Sequence, residues 1–357
     1  MSRIAKLRER MVQKDLPAFL VSSSSNRRYL SGFTGTAGSL LISLEKAFLL
    51  TDFRYVEQAR AQCPGWEIVR VDKDFYESLA TILGDYQIDK LGFEVDYITF
   101  HQYQQMREAF KGVSLEPLKG LVEELRVVKD EEEIAAIARA VRLIDKTFEY
   151  VMNHIRPGRI EREVVLELEF FARRAGATGM SFETILASGE RAALPHGVAS
   201  GKVINKGDLV VLDCGAVLDG YCSDFTRSLV AGAAPAPWQQ EIYNIVLEAQ
   251  EIGLETLRAG VKGSEVDSAV RNYIAKYGYE EYFGHSTGHG LGIDVHEEPR
   301  LSAVSDRVLE EGMVVTVEPG IYLPGKGGVR IEDVAVVRKN GCEILTKSPK
   351  KELITLY

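Results

Sequence analysis

The stretch LVVLDCGAVLDGYCSDFTRSLV, residues 209–230, decides the fold of the second part of this chain. Its first four residues are apolar β-formers, and Asp213 interrupts them where burial of an unpaired charge is costly. Leu218-Asp219-Gly220 is typical of a turn, and 221–230 is typical of a returning strand. The stretch therefore predicts a β-hairpin.

Two registers of this hairpin are open, and both bring two aspartates together. A turn centred on Leu218 and Asp219 places Asp213 directly opposite Asp224, with Cβ atoms roughly 5 Å apart. A turn centred on Asp219 and Gly220 shifts the pairing but keeps the two aspartates as diagonal neighbours on one face of the hairpin. In either register the hairpin predicts two carboxylates that repel each other.

A second hairpin is predicted downstream, and it carries two glutamates. The apolar strand 314–318 ends at Glu318, the strand 329–337 contains Glu332, and the glycine-rich turn 324–328 lies between them. Glu318 and Glu332 are symmetric about Gly325, so we expect them to face each other. A solvated acidic pair is the ordinary interpretation of one such hairpin. Two pairs, both in apolar strands, favour one shared site.

Four converging carboxylates carry about four negative charges, which two divalent cations would neutralise while activating water for hydrolysis. The segment 288–292, GHGLG, adds His289, whose flanking glycines let the backbone approach a neighbour closely. Oxygen ligands with one imidazole suit manganese, cobalt, iron or zinc, and an oxygen-rich site favours manganese. The sequence thus predicts a dinuclear metal centre with these five ligands: Asp213, Asp224, His289, Glu318 and Glu332.

The motifs around these residues resemble the pita-bread metallopeptidases, and within them the Xaa-Pro peptidases, prolidase and aminopeptidase P. The matching segments are 194–197, 213–224, 287–292, 295–297, 318–322 and 330–333. Residues 26–33 and 51–55 are similar to the creatinase/prolidase amino-terminal domain. The resemblance implies an α+β fold, with a smaller α/β domain at 1–122 and a pita-bread catalytic domain at 123–357.

The resemblance also implies roles for individual residues. Asp224 and Glu332 would bridge the two ions, His289 would complete the shell of one ion, and Glu318 would be both a ligand and a proton shuttle. The family's substrate-facing histidines, which stabilise the tetrahedral intermediate and hold the proline side of the substrate, correspond to His196, His285 and His296. Arg300 matches a position that binds the carboxylate of a dipeptide. Phe182 and Tyr322 are candidates for walls around the proline ring.

The expected activity is metal-dependent hydrolysis of the Xaa-Pro peptide bond, which releases the residue before proline. This bond is a tertiary amide without an N–H donor, and its ring clashes with ordinary peptidase clefts. The sequence does not choose between dipeptides and longer peptides as substrates.

Two alternatives remain open. The segment 284–288, GHSTG, matches the GxSxG pattern of a serine hydrolase with Ser286 as nucleophile, which requires a strand before the serine and a helix directly after it. A non-catalytic pita-bread binding protein is the other alternative.

Composition narrows the function classes further. The chain of 357 residues, 45% of them hydrophobic, is long enough for two domains that each have a core. Its net charge of −9 disfavours nucleic acid and acidic membranes as partners. No apolar stretch reaches membrane-spanning length. The four cysteines have no CxxC spacing, so we expect reduced thiols, although a Cys214–Cys222 disulfide across the hairpin is conceivable. We expect a cytoplasmic homodimer.

Apolar spacing predicts several helices along the chain. Apolar residues at intervals of three and four run from Ile134 to Ile155 behind an acidic start at 130–133, and Pro157-Gly158 ends the pattern. Further helices are predicted at about 160–174, 238–259 and 264–277. An amphipathic helix at 1–14 precedes a strand at 18–22.

Overall fold

A computed structural model describes residues 2–357. The chain divides into two compact units, of which one ends at Arg126 and the other spans Val127–Tyr357. The domain boundary expected after residue 122 falls at the start of a short helix, Glu123–Arg126, that belongs to the first unit. Met1, the first residue of the expected amino-terminal helix and domain, lies outside the described residues.

The first unit is an α/β domain built on one six-stranded mixed sheet with the strand order β4-β3-β2-β1-β5-β6. Its strands are β1 Ala18–Val21, β2 Ser39–Ser43, β3 Ala47–Thr51, β4 Glu67–Arg70, β5 Lys90–Glu94 and β6 Ser114–Leu118. Its helices are α1 Arg3–Gln13, α2 Ser24–Ser31, α3 Val56–Gln62, α4 Phe75–Asp85, α5 Phe100–Ala109 and α6 Glu123–Arg126. This architecture agrees with the α/β domain expected for the first part of the chain.

The second unit begins with a helix whose start is fixed by its own side chains. Helix α7 spans Glu131–Val151, and the Asp130 carboxylate accepts from the Glu133 N–H while the Glu133 carboxylate accepts from the Asp130 N–H. The predicted end at Ile155 is wrong, because residues 152–154 form turns after Val151. Ile155 is nevertheless buried in the same core as the helix, so the apolar pattern continues past the helix end.

The second unit also contains further helices and four sheets. Its remaining helices are α8 Glu161–Arg174, α9 Pro237–Thr256 and α10 Gly263–Ala275, with short 3-10 helices at Gly189–Ala193 and Glu280–Tyr282. Its strands are β7 Gly179–Met180, β8 Ile185–Ser188, β9 Leu209–Asp213, β10 Ala216–Leu218, β11 Tyr221–Cys222, β12 Thr226–Ala231, β13 Gly288–Gly290, β14 Glu297–Leu301, β15 Val314–Val317, β16 Gly320–Leu323, β17 Gly327–Arg330, β18 Asp333–Arg338, β19 Gly341–Ile344 and β20 Ile354–Leu356. The sheets have the orders β11-β10-β7, β20-β12-β9-β8, β14-β13-β15-β18-β19 and β16-β17. Helices and separate sheets in one unit confirm the α+β class.

The aspartate hairpin adopts the second of its two expected registers. Leu218 pairs with Tyr221, so the turn is centred on Asp219 and Gly220, which have φ values of 54° and 80°. Both positive values are typical of the tight turn that joins two twisted strands. Asp213 pairs with Thr226 in the outer ladder. Asp224 is therefore a diagonal neighbour of Asp213.

The glutamate hairpin has the predicted symmetry. Val317 pairs with Asp333 in one ladder and Gly320 pairs with Arg330 in the next, so Glu318 and Glu332 lie opposite each other between the two ladders. The predicted strand 329–337 is interrupted at 331–332, because the Glu332 backbone pairs with Thr226 of the aspartate hairpin instead. This bridge is one of several contacts that join the two hairpins.

Two further expectations concern the whole chain. All four cysteines are free thiols, so the conceivable Cys214–Cys222 disulfide is absent. Within residues 2–357, no helix combines the length and the apolarity that crossing a bilayer requires.

Candidate metal centre

Three predicted ligands converge directly. One ligand atom from each of Asp224, His289 and Glu332 lies within 4.8 Å of the other two, and all three residues are buried. They come from the β11–β12 connection, from β13 and from the β17–β18 connection. The bridge between Thr226 and Glu332 joins the two hairpins, and the pairing of Gly290 with Val315 places β13 beside the strand before Glu318.

Glu318 and Asp213 border this cluster in different ways. The Glu318 Oε1 atom lies 3.3 Å from His289 Nε2, and Asp224 Oδ2 lies 3.6 Å from the same nitrogen. Asp213 lines the same cavity, but its Oδ2 atom accepts a 2.5 Å hydrogen bond from Arg330 Nη2. One carboxylate oxygen of Asp213 is thus already neutralised by a buried guanidinium.

Two buried carboxylate oxygens have no hydrogen-bond partner. Asp213 Oδ1 and Glu332 Oε1 are both shielded from solvent, and neither accepts from a donor among residues 2–357. The second oxygen of Glu332 accepts from the Thr226 hydroxyl at 2.7 Å. A buried charged oxygen without a partner is costly, so each of these atoms fits a position beside a cation.

The imidazole of His289 is held in the state that a metal ligand needs. Its Nδ1 atom donates to the Gly290 carbonyl at 3.0 Å, which leaves the Nε2 lone pair directed toward Asp224 and Glu318. Burial lowers the pKa of His289 to about 3, so the ring is neutral at physiological pH. The predicted close approach of its flanking glycine is confirmed: a Cβ at Gly288 would lie 1.9 Å from the Thr316 carbonyl oxygen.

Asp224, Glu318 and Glu332 have raised pKa values, because they are buried near other negative charges. Burial, followed by the charge of Asp213, raises the pKa of Asp224 well above its usual range. Burial, followed by the charge of Asp224, does the same for the pKa of Glu332. Burial raises the pKa of Glu318 to about 7. Without a cation the cluster therefore holds protons at a pH where isolated carboxylates are ionised.

These side chains line one cavity of ≈ 390 Å³ in the second unit. The remaining predicted site residues line it as well, namely His196, His285, His296, Arg300 and Phe182. Ile185, Pro195 and Val198 add apolar surface to it. All the site residues expected from the sequence, except Tyr322, therefore face one cavity.

Tyr322 and His285 differ from their expected environment. Tyr322 is buried behind the cavity, where its hydroxyl accepts from Arg330 Nη1 at 2.8 Å and donates to His285 Nε2, 2.9 Å away. It does not line the cavity, so its expected contact with a proline ring is wrong. The His285 Nδ1 atom donates to the Ser286 carbonyl, so both ring nitrogens of this residue already have protein partners.

The interpretation of Ser286 as a nucleophile is wrong. The residues after it enter strand β13, whereas a nucleophile elbow requires a helix directly after the serine. Its carbonyl serves as the acceptor for His285.

Sequence reasoning missed three polar side chains that orient the cluster. Thr226 donates to Glu332, Thr316 donates to Glu318 Oε1 at 3.1 Å, and Arg330 donates to Asp213. Arg330 carried a signal, because it lies two residues before Glu332 in an apolar strand and so shares its face. The two threonines carried none, because threonine is an ordinary strand residue.

Comparisons with known proteins identify two family domains in this chain. Residues 135–339 match metallopeptidase family M24, and residues 3–128 match the creatinase/prolidase N-terminal domain. A Xaa-Pro dipeptidase of Pyrococcus horikoshii is 41% identical over 355 residues, which cover 99% of this chain and 98% of the relative.

Solved structures are similar over almost the whole chain. A Xaa-Pro dipeptidase from Bacillus anthracis has a TM-score of 0.96 at 50% identity and covers 99% of both chains. An X-Pro aminopeptidase from Thermotoga maritima has a TM-score of 0.92 at 40% identity and covers 98% of this chain and 99% of that one. These matches exclude the non-catalytic binding protein. The chain belongs to metallopeptidase family M24, as an enzyme with a creatinase/prolidase amino-terminal domain and a pita-bread catalytic domain.

Proposed function

We propose that this enzyme hydrolyses the Xaa-Pro peptide bond with two divalent metal ions. The observation that carries this proposal is the pair of buried carboxylate oxygens, Asp213 Oδ1 and Glu332 Oε1, that lack a hydrogen-bond partner beside a neutral imidazole. The residues that would hold the ions are Asp213, Asp224, His289, Glu318 and Glu332. The similarity to Xaa-Pro dipeptidases supports the substrate class.

The charge of the cluster favours two ions over one. Four carboxylates carry about four negative charges, and Arg330 compensates one of them at Asp213. One divalent ion would leave about one buried negative charge without compensation. Two ions would leave about one positive charge, which a hydroxide formed from the attacking water would balance. We propose manganese as the ion, because four of the five donors are carboxylates.

The ions, when bound, polarise the scissile carbonyl and lower the pKa of an attacking water molecule. Glu318 accepts the proton of that water and returns it to the leaving nitrogen of proline, which has no proton of its own. The Thr316 hydroxyl holds the Glu318 carboxylate in place for this transfer. His196 and His296 stabilise the developing oxyanion from the rim of the cavity, where both side chains are exposed.

The cavity also has apolar residues that suit a proline ring. Phe182, Ile185, Pro195 and Val198 supply apolar surface for a ring, and Arg300 supplies a cation for a free carboxylate. We therefore propose Xaa-Pro dipeptides as the substrates. Arg300 would pair with the carboxylate that only a dipeptide places next to the proline ring.

The test compares Ala-Pro, Ala-Pro-Ala and Ala-Ala as substrates of metal-stripped enzyme, before and after the addition of Mn²⁺. We expect activity on Ala-Pro only with the ion, weaker activity on Ala-Pro-Ala and none on Ala-Ala. Faster turnover of Ala-Pro-Ala would assign the enzyme to aminopeptidases. Equal activity with a chelator present would remove the metal-dependent proposal altogether.

We also propose that the enzyme is a cytoplasmic homodimer. Its free thiols suit a reducing compartment, and the dimer follows from the resemblance to prolidases. Sedimentation equilibrium measures the mass in solution directly, and a mass near 39.7 kDa would indicate a monomer.

A further inference from the structure

A fully buried carboxylate lies outside the metal cluster and takes no part in the proposed reaction. Glu161, the first residue of helix α8, has no exposed surface. A carboxylate in such a place must be well supplied with donors. The donors that it has all belong to one segment of the chain.

That segment is the His196 loop, residues 189–200, together with Ser188 at its entrance. Glu161 Oε1 accepts from the Ser188 N–H at 2.9 Å and from its hydroxyl at 2.8 Å. Glu161 Oε2 accepts from the Ser200 N–H at 3.0 Å and from its hydroxyl at 2.7 Å. One side chain thus holds both ends of the loop.

Arg191 ties the middle of the loop to the same carboxylate. Its Nη1 atom donates to Glu161 Oε2, and its Nη2 atom donates to the Val198 carbonyl at 2.6 Å. The buried carboxylate is therefore paired with a charge from within the loop that it holds. Because the guanidinium reaches both groups at once, it also fixes the distance between the helix and Val198.

The loop supplies one side of the active-site cavity. Pro195, His196 and Val198 all line it. The backbone near His196 is folded tightly, since the Gly197 N–H donates to the Leu194 carbonyl and the Val198 N–H donates to the His196 carbonyl. A displacement of Val198 therefore moves the backbone of His196.

We propose that Glu161 and Arg191 are positioning residues, which set the place of His196 and of the apolar cavity side formed by Pro195 and Val198. This inference rests on the proposed Xaa-Pro activity only for its kinetic readout. Neither residue contacts the cavity, and each acts through the loop.

The kinetic test uses Arg191→Met, which keeps the length of the side chain and removes its charge and donors. We expect kcat/KM for Ala-Pro to fall about 10- to 100-fold. Displacement of His196 from the oxyanion should lower kcat, and displacement of the apolar side formed by Pro195 and Val198 should raise KM. Arg338→Met is the matched control. Arg338 also donates to two acidic side chains, Glu343 and Glu131, but on the surface, and its loss should leave kcat/KM unchanged.

A double-mutant cycle separates positioning from general destabilisation. If Arg191 acts on kcat through His196, then Arg191→Met should change kcat less than threefold in a His196→Ala background. Independent, multiplicative effects of the two substitutions would overturn the proposal. So would a lowered thermal midpoint of Arg191→Met with unchanged kcat and KM, which would indicate a purely structural role.

A spectroscopic test needs no activity. The chain has six histidines, so the ¹⁵N spectrum of histidine-labelled, metal-stripped protein is simple, and the missing signal of His196→Ala identifies His196. We expect Arg191→Met and Glu161→Gln to shift or broaden that signal and to leave His154 and His101 unchanged. An unchanged His196 signal in a folded variant would refute positioning. Inactivity of the wild-type enzyme toward Ala-Pro would refute the proposed substrate, and this spectrum would still decide the role of Arg191.

Discussion

Replacement of Thr226 by valine tests whether the Thr226 hydroxyl, which contacts Glu332 of the other hairpin, controls metal binding. The Thr226 hydroxyl donates to Glu332 Oε2 at 2.7 Å and accepts from Arg330 Nε at 3.2 Å. The residue is fully buried, and valine has almost the same shape. The substitution therefore removes two hydrogen bonds without opening a cavity.

The expected magnitude follows from the charge of the acceptor. A hydrogen bond to a charged group contributes about 1.5–3 kcal/mol, and loss of a residue that orients a metal ligand weakens affinity by about 10- to 100-fold. Loss of the donor also raises the pKa of Glu332 further, so that a proton competes better with the ion. We expect the Kd for Mn²⁺ to rise by about 10- to 100-fold. Turnover at saturating Mn²⁺ should fall by a smaller factor than the affinity for Mn²⁺.

Calorimetric titration of metal-stripped protein with Mn²⁺ measures this change. Thr147→Val is the matched control, because Thr147 is also fully buried but its hydroxyl donates to the Leu143 carbonyl within helix α7. The control should bind Mn²⁺ like the wild type. A Thr226→Val variant with a Kd within twofold of the wild type would refute the reasoning that Thr226 orients Glu332.

Three further predictions concern catalysis, pH and stability. Glu318→Gln should leave the thermal midpoint nearly unchanged while kcat falls by about 10²- to 10⁴-fold, because the amide cannot carry the proton; retained turnover would exclude Glu318 as the shuttle. In metal-stripped protein, burial raises the pKa of Glu318 from 4.5 to about 7, so the folded state holds this proton more tightly than the unfolded chain. The contribution of Glu318 to stability is complete below pH 4.5 and is lost as the pH rises through 7. The thermal midpoint of the metal-stripped protein should therefore fall between pH 5 and 8, and bound Mn²⁺ should remove this fall. A midpoint that rises with pH in the stripped protein would contradict the prediction. Phe148→Ala should lower the free energy of unfolding in urea by about 3–5 kcal/mol, because Phe148 is buried against Phe225 with ring centroids 4.9 Å apart, and a loss below 1 kcal/mol would show that the core refills the space.

The sequence predicted the hairpins because their residues conflict with their surroundings. Asp213 ends an apolar strand and Glu318 directly follows one, where a buried charge without a partner is costly. The glycines beside His289 indicated a close backbone approach, and the structure places the Thr316 carbonyl there. Such features are visible without coordinates, since each one is costly unless a particular neighbour is present.

The features that remained unpredicted depend on register and on distant contacts. Apolar spacing continued to Ile155, although the helix ends at Val151, because burial continues through the turn that follows. Tyr322 was a candidate for a wall around the proline ring, yet it is buried and its hydroxyl is hydrogen-bonded to Arg330 and His285. The Thr226 contact joins residues 106 positions apart, and no local pattern carries such information.

An ion bound between Asp224 and Glu332 would connect the two hairpins of the second unit. Asp224 and Glu332 belong to separate hairpins, so an ion between them is bound tightly only while both hairpins are folded and docked. Whatever free energy the ion contributes is then lost in one step when either hairpin detaches. Bound metal should therefore make thermal unfolding more cooperative. A partly folded chain would lack the complete site and could not hydrolyse peptides.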